Sequence, residues 1–265
     1  MNQPPRPAGP DLKESVQRQF GAVASNYGRA SFVHRQGPDL EALLERAAGL
    51  GARRALDVGC GAGHTAHALA SHVEQVIAAD LTEAMLEQTR QGAAELGLTN
   101  VEARRADAEA LPFEDASFDV VACRLCAHHF GDPAQALHEA HRVLRPGGRF
   151  YLIDIVAPED PTADSFLQAF EVVRDPSHVR DHSISQWTAM LARAGFEAPR
   201  IDIWPMPQHF ETWAARIGAT PTATAALAEM FAAAPAEVRA HFCVEGRPVE
   251  SFSIENALFD VRRPD

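Results

Sequence analysis

The stretch from Arg54 to His64, Arg-Ala-Leu-Asp-Val-Gly-Cys-Gly-Ala-Gly-His, constrains the fold of this chain more than any other. Ala55 to Val58 reads as a short buried strand, and Gly59, Gly61 and Gly63 follow in quick succession. An Ala-rich helical pattern, His64 to Val73, begins at once. Glycine lacks a Cβ, so such a turn can be tight and a ligand can lie against bare backbone. The first turn of the helix offers unpaired N–H groups and a positive dipole end, which suit an anion. Strand, glycine turn and helix together form the first half of a nucleotide-type site in an open parallel sheet.

The identity of the ligand turns on two residues. A dinucleotide fingerprint requires a third glycine three positions after the second, and His64 stands there. Asp57, at the end of the strand, would repel a pyrophosphate but could pair with an ammonium group. S-adenosylmethionine has no phosphate and carries an ammonium, a carboxylate and a sulfonium. Asp57 facing the ammonium, with the glycine-turn amides facing the carboxylate, fits that ligand better. Here the chain resembles the class I S-adenosylmethionine-dependent methyltransferases, whose first strand and turn read D-x-G-x-G-x-G; the matching residues are Asp57, Gly59, Gly61 and Gly63, with Cys60 inside the turn. A dehydrogenase-type fold or a plain tight turn is the alternative for this stretch taken alone.

Residues further along support the nucleotide reading. Gln75 to Asp80 reads as a second strand, and Asp80 lies 21 residues after Gly59. An acidic residue about 20 positions on, at the end of the second strand, reaches ribose hydroxyls. Leu81 could pack on one face of the adenine, and Thr82 can cap the next helix, Glu83 to Leu96. Met85 faces back toward the site one turn into that helix, as a ligand contact or as core. Val101 to Ala106 is a third strand ending at Asp107-Ala108, before a Leu-Pro-Phe loop. That arrangement is similar to a methyltransferase pattern in which the acidic side chain accepts from the adenine amino group and the next amide donates to the ring. The resemblance implies those roles for Asp107 and Ala108; a solvated loop aspartate is the other reading.

Phe118 to Leu125 is the fourth strand, and its end delivers Arg124, Cys126, His128 and His129 toward the ligand crevice. Asp132 and Pro133 start a helix, and Arg149 to Val156 is a fifth strand carrying Asp154. The run from His138 to Phe150 is again similar to the family, closest to its ubiquinone/menaquinone-biosynthesis type. In such proteins a leader segment often folds over the cofactor with a tyrosine. Tyr27 is the matching position, and a surface tyrosine beside a turn is the alternative.

Composition narrows the partners. With 24 basic and 36 acidic residues the net charge is −12, which disfavours a phosphate backbone as substrate. No apolar run approaches the roughly 18 residues that span a bilayer. Four irregularly spaced cysteines in 265 residues read as reduced, cytoplasmic thiols. Cys123 and Cys126 have ligand spacing, but no second pair follows, so no metal site is expected.

The expected architecture is α/β: a doubly wound, seven-stranded, mostly parallel sheet of the Rossmann-like methyltransferase kind, its last strand antiparallel. Residues 1–10 read as a disordered tail and 11–265 as a single domain, with helical insertions at about 157–183 and 211–242 over the ligand end. The expected function is methyl transfer from S-adenosylmethionine to a small-molecule acceptor, leaving S-adenosylhomocysteine. Its competitors are a non-catalytic S-adenosylmethionine-binding module and an NAD-dependent dehydrogenase. Where the acceptor must lose a proton, His128 or His129 is the candidate base. Both could instead only shape the pocket.

Overall fold

A computed structural model describes residues 10–28 and 36–265 of the chain. Of the tail expected at 1–10, residues 1–9 lie outside the described residues. Pro10 already begins that helix, α1 (Pro10–Tyr27). It is followed by α2 (Pro38–Ala48), β1 (Arg54–Val58), α3 (His64–Leu69), β2 (Gln75–Asp80), α4 (Glu83–Glu95), β3 (Val101–Arg105) and β4 (Phe118–Arg124). A single turn of 3₁₀ helix spans Ala127–His129, and then come α5 (Pro133–Val143) and β5 (Leu144–Val156). The remainder is α6 (Pro161–Arg174), α7 (Ile184–Arg193), β6 (Arg200–His209), α8 (Phe210–Arg216), α9 (Pro221–Ala233), α10 (Ala236–His241) and β7 (Ser251–Arg262).

The seven strands form one sheet in the order β3-β2-β1-β4-β5-β7-β6. β3, β2, β1, β4 and β5 pair in parallel, while β7 lies antiparallel to both β5 and β6. The strand order reverses at β1 and β4, so a crevice opens beyond their carboxyl ends. β4 is buried along its whole length and β1 at all but its first residue, because helices cover both faces of the sheet centre. One core layer packs Leu56, Val121, Leu152 and Phe259 against Leu137 and Trp187. The opposite layer packs Ala55, Val120, Tyr151 and Leu258 against Leu43 and Leu69.

A third cluster lies beyond the sheet. Phe170 of α6, Trp213 of α8, Phe231 of α9 and Phe252 of β7 meet at ring-centroid distances of 4.8–6.5 Å. Burying such rings ties α6, α8 and α9 into one platform. Local signals set the helix starts beneath it. Asp160 accepts from the N–H groups of Thr162 and Ala163, and Ser183 with Gln186 makes a capping box.

Several boundaries differ from expectation for physical reasons. α1 runs unbroken to Tyr27, although the segment from Gly21 has little period of its own. Tertiary docking sustains it: Gln19 Nε2 donates to the Ile217 carbonyl at 2.6 Å and Asn26 Nδ2 to the Arg216 carbonyl at 3.2 Å. The helix after the glycine turn ends at Leu69 rather than Val73. β6 continues through Pro205 and Pro207 to His209, which an edge strand tolerates. The segment 211–242 divides into three helices at Gly218 and Pro235. Thr82 makes no side-chain cap; its own N–H is held by Asp80 Oδ1 at 2.8 Å.

Candidate active site

The glycine turn after β1 forms the floor of a cleft enclosing about 1020 Å³, partly open to solvent. Gly59 and Gly61 have φ values of +67° and +53°, a region that glycine enters without strain. A Cβ on Gly59 would lie 2.8 Å from the Cys126 Cβ and closer still to its Sγ, so this glycine lets β1 and β4 converge. A Cβ on Gly61 would meet nothing within 4 Å. Bare backbone there faces the cleft, the open cradle a ligand would fill.

Asp80 closes the turn. Its Oδ2 accepts from the Gly61 N–H at 2.9 Å and its Oδ1 from Thr82. Asp80 also lines the cleft. Burial pushes its pKa up, against the pull of these hydrogen bonds. Leu81 and Met85 line the same wall, Met85 being only 2% exposed, so that it serves as core and as wall together.

At the far end of the cleft stand Asp107 and Ala108. Asp107 Oδ1 accepts from the Glu109 N–H at 3.0 Å, and its Oδ2 meets Lys13 Nζ of α1 at 2.5 Å. Lys13 also contacts Glu109, at 2.8 Å. Further along α1, Val16, Phe20 and Tyr27 line the cleft, so the helix lies over it like a lid. His64 Nε2 donates to the Tyr27 carbonyl at 2.7 Å and ties down the end of that lid. The residue that breaks the dinucleotide pattern thus holds α1 in place.

Of the cofactor-site residues expected from sequence, all but Asp57 and Gly63 line this cleft, including Cys60 and Arg124. Gly63, with φ +85°, instead caps α3. Asp57 is 1% exposed, is not among the residues lining the cleft, and has one oxygen without a hydrogen-bond partner among the described residues. Burial pushes its carboxyl up to about 7, with the N–H of Ala66 and the charge of Arg124 opposing. Arg124 Nε donates to Asp39 Oδ2 at 2.6 Å in a buried ion pair, so its charge is already shared.

A second, inner chamber of about 530 Å³, like the cleft partly open to solvent, adjoins it, and the two share Phe20, Tyr27, Leu125 and His129 as walls. His128 lines it as well, and here the expectation of a neutral base fails. His128 Nδ1–H donates to Asp154 Oδ1 at 2.6 Å, while its backbone N–H donates to Oδ2 at 2.9 Å. Burial alone would lower its pKa, but the carboxylate wins and holds it at about 10. A protonated imidazole cannot take a proton at neutral pH. His129 behaves oppositely. Its Nδ1–H donates to the Ser177 carbonyl at 3.1 Å, which leaves Nε2 with its lone pair. Burial, reinforced by the charge on His128, pushes it down to about 4.

Sequence reasoning missed Lys13, Phe20, His64 and Arg216 as wall or lid residues. Helical spacing from Leu12 through Val16 to Phe20 was the available signal for α1. Among the described residues no cluster of His, Cys, Asp and Glu could hold a metal, and no helix is long and apolar enough to cross a membrane.

Known proteins share this arrangement. A family model described as "Methyltransferase domain" matches residues 56–152, from β1 into β5. The uncharacterized methyltransferase YcgJ of Bacillus subtilis is 38% identical over 243 residues, covering 90% of this chain and 95% of that protein. Its crystal structure superposes with a TM-score of 0.82 at 36% identity, covering 86% of this chain and 98% of the other. The demethylmenaquinone methyltransferase of Clavibacter sepedonicus is 31% identical over 201 residues, 75% of this chain and 79% of that one. The match to YcgJ runs almost end to end, at 90% of this chain and 95% of that protein. The chain therefore belongs to the methyltransferase-domain family and is an S-adenosylmethionine-dependent methyltransferase.

Proposed function

We propose that the inner chamber seats a small-molecule acceptor, which receives its methyl group across the wall shared with the cofactor cleft. The observation carrying this reading is that shared wall: Phe20, Tyr27, Leu125 and His129 border both spaces. Bound S-adenosylmethionine supplies a methyl group already activated by the sulfonium. In this reading Asp80 binds the ribose hydroxyls, Asp107 and Ala108 take the adenine, and the open backbone at Gly61 meets the amino-acid end. Asp57 acts from below, through its electrostatic field rather than by contact. Lys13 anchors α1 over the adenine end, and Phe20 and Tyr27 exclude water from the reacting groups.

For such a displacement the protein must mostly align two reactants, and alignment alone can contribute several kcal/mol. Where the acceptor is a hydroxyl, His129 Nε2 is the group that can accept its proton, since Nδ1 is committed to Ser177. The net charge of −12 favours a small molecule over nucleic acid. The Clavibacter relative, named for action on demethylmenaquinone, supports an acceptor of that size class. Free thiols at Cys60 and Cys126 in the cleft wall fit a reducing, cytoplasmic setting.

The test is turnover. Purified protein with S-adenosylmethionine is given a bacterial small-molecule extract, or nucleic acid and protein fractions, and S-adenosylhomocysteine is measured. Release with the small-molecule fraction alone is expected. Release only with a macromolecular fraction would overturn the reading.

A further inference from the structure

The inner chamber presents a guanidinium that, among the described residues, no carboxylate contacts. Arg216 ends α8 and lines the chamber wall beside Arg174 of α6. Arg174 is fully engaged: Nη1 meets Glu171 Oε2 at 3.0 Å, Nε donates to the Trp213 carbonyl at 3.2 Å, and the guanidinium lies 4.6 Å from the Trp213 ring centre. Arg216 instead donates from Nη2 to the neutral amide oxygen of Gln208 at 3.3 Å. Among the described residues no carboxylate lies within ion-pair distance of it. Gln208 is itself buried and lines the same chamber.

The other charges on these walls are already placed. His128 is held by Asp154. Asp175 Oδ1 accepts from the Ser177 N–H at 2.8 Å and from its hydroxyl at 2.6 Å, and its Oδ2 stands 3.9 Å from His129 Nε2, on the histidine side of the chamber. Burial and the neighbouring charge of Arg174 push the Arg216 pKa down, with Glu171 opposing. A guanidinium does not release its proton in a protein, so Arg216 stays charged and can receive an anion. Leu125, Ile155, Met206, Trp213 and Ile254 make the apolar part of the lining, beside Phe20 and Tyr27.

We propose that the acceptor is a monoanionic carboxylic acid with an apolar body, its carboxylate seated on the Arg216 guanidinium and its reacting atom toward His129. The planar fork of arginine matches a carboxylate with two parallel hydrogen bonds. Asp175 on the opposite side of the chamber disfavours a second negative charge on the ligand. This inference rests on the reading of the inner chamber as the acceptor's seat.

Calorimetry on the protein, with and without saturating S-adenosylhomocysteine, tests it. The probes are benzoate, phenylacetate and 4-hydroxybenzoate, each beside its uncharged primary amide. At least one acid is expected to bind ten times or more tighter than its amide. Arg216→Gln should erase that ratio, and Arg216→Lys, which keeps the charge and loses the fork, should retain part of it. The affinity for S-adenosylhomocysteine, measured separately, should stay within twofold in both variants, showing that they fold. Amides binding as well as acids, no binding by any acid, or an acid preference surviving in Arg216→Gln would each overturn the proposal. Failure of S-adenosylhomocysteine to bind the unmodified protein would instead count against the cofactor site, so the two failures are read in different titrations.

Discussion

Alanine at Gly59 and alanine at Gly61 should have opposite consequences, although the two glycines belong to one turn. Both residues have positive φ, so either substitution costs about 1–2 kcal/mol of backbone strain. At Gly59 the new Cβ would also press into Cys126, 2.8 Å from its Cβ, in a buried junction between β1 and β4. Overpacking of that kind adds about 1–3 kcal/mol. Gly59→Ala should therefore lose about 2–5 kcal/mol, and Gly61→Ala only the strain, about 1–2 kcal/mol. A domain stable by about 5–15 kcal/mol survives both changes. In function the order reverses for the chain that still folds best. The Gly61 methyl group would occupy the open cradle, and S-adenosylhomocysteine affinity should fall at least about tenfold, or about 1.4 kcal/mol. Urea unfolding and calorimetry on the same preparations separate the two effects. A further variant, Gly59→Ala with Cys126→Gly, should recover the overpacking part of the loss and leave the strain. The reasoning is refuted if Gly61→Ala destabilises as much as Gly59→Ala, or if it binds S-adenosylhomocysteine as well as the unmodified protein.

Two other outcomes follow from single side chains. Asp80→Ala removes the acceptor expected at the ribose, worth about 1.5–3 kcal/mol for bonds to a charged group, so calorimetry should show at least a tenfold weaker S-adenosylhomocysteine. An unchanged affinity would place the ribose elsewhere. His128 has its folded pKa raised to about 10 from 6.5, so its contribution to stability is full below pH 6.5 and is lost as pH rises through about 10. His128→Asn should cost about 3–5 kcal/mol at pH 7, by leaving Asp154 buried without its cation. The difference in stability between the two proteins should shrink between pH 7 and 10. A difference that stays constant over that range would show that His128 is not charged in the folded state.

The glycine turn, Asp80 and Asp107-Ala108 were legible because their chemistry is local. A strand end, a turn and a helix start place them within a few residues, and the parallel sheet brings the three ends together. The walls built by distant contacts were not legible. Lys13 and Asp107 are 94 positions apart, and Asn26 meets Arg216 across 190. The protonation of His128 depends on Asp154, which β5 delivers beside the end of β4. From the sequence, His128 and His129 were equivalent neighbours; the fold gives His128 the Asp154 carboxylate, which raises its pKa, while burial and the charge on His128 lower that of His129. The course of α1 was hidden for a similar reason. Gly21 weakens its local propensity, and only docking on α8 and on the cleft extends it to Tyr27.

A crystal structure of the protein with S-adenosylhomocysteine is the most direct measurement of the central claim, that methyl transfer crosses the wall between cleft and chamber. The account predicts ribose hydroxyls within hydrogen-bond distance of Asp80, the adenine beside Asp107 and Ala108, and the sulfur facing Phe20, Tyr27, Leu125 and His129. A sulfur turned away from those four residues, with the inner chamber closed off from it, would contradict the account.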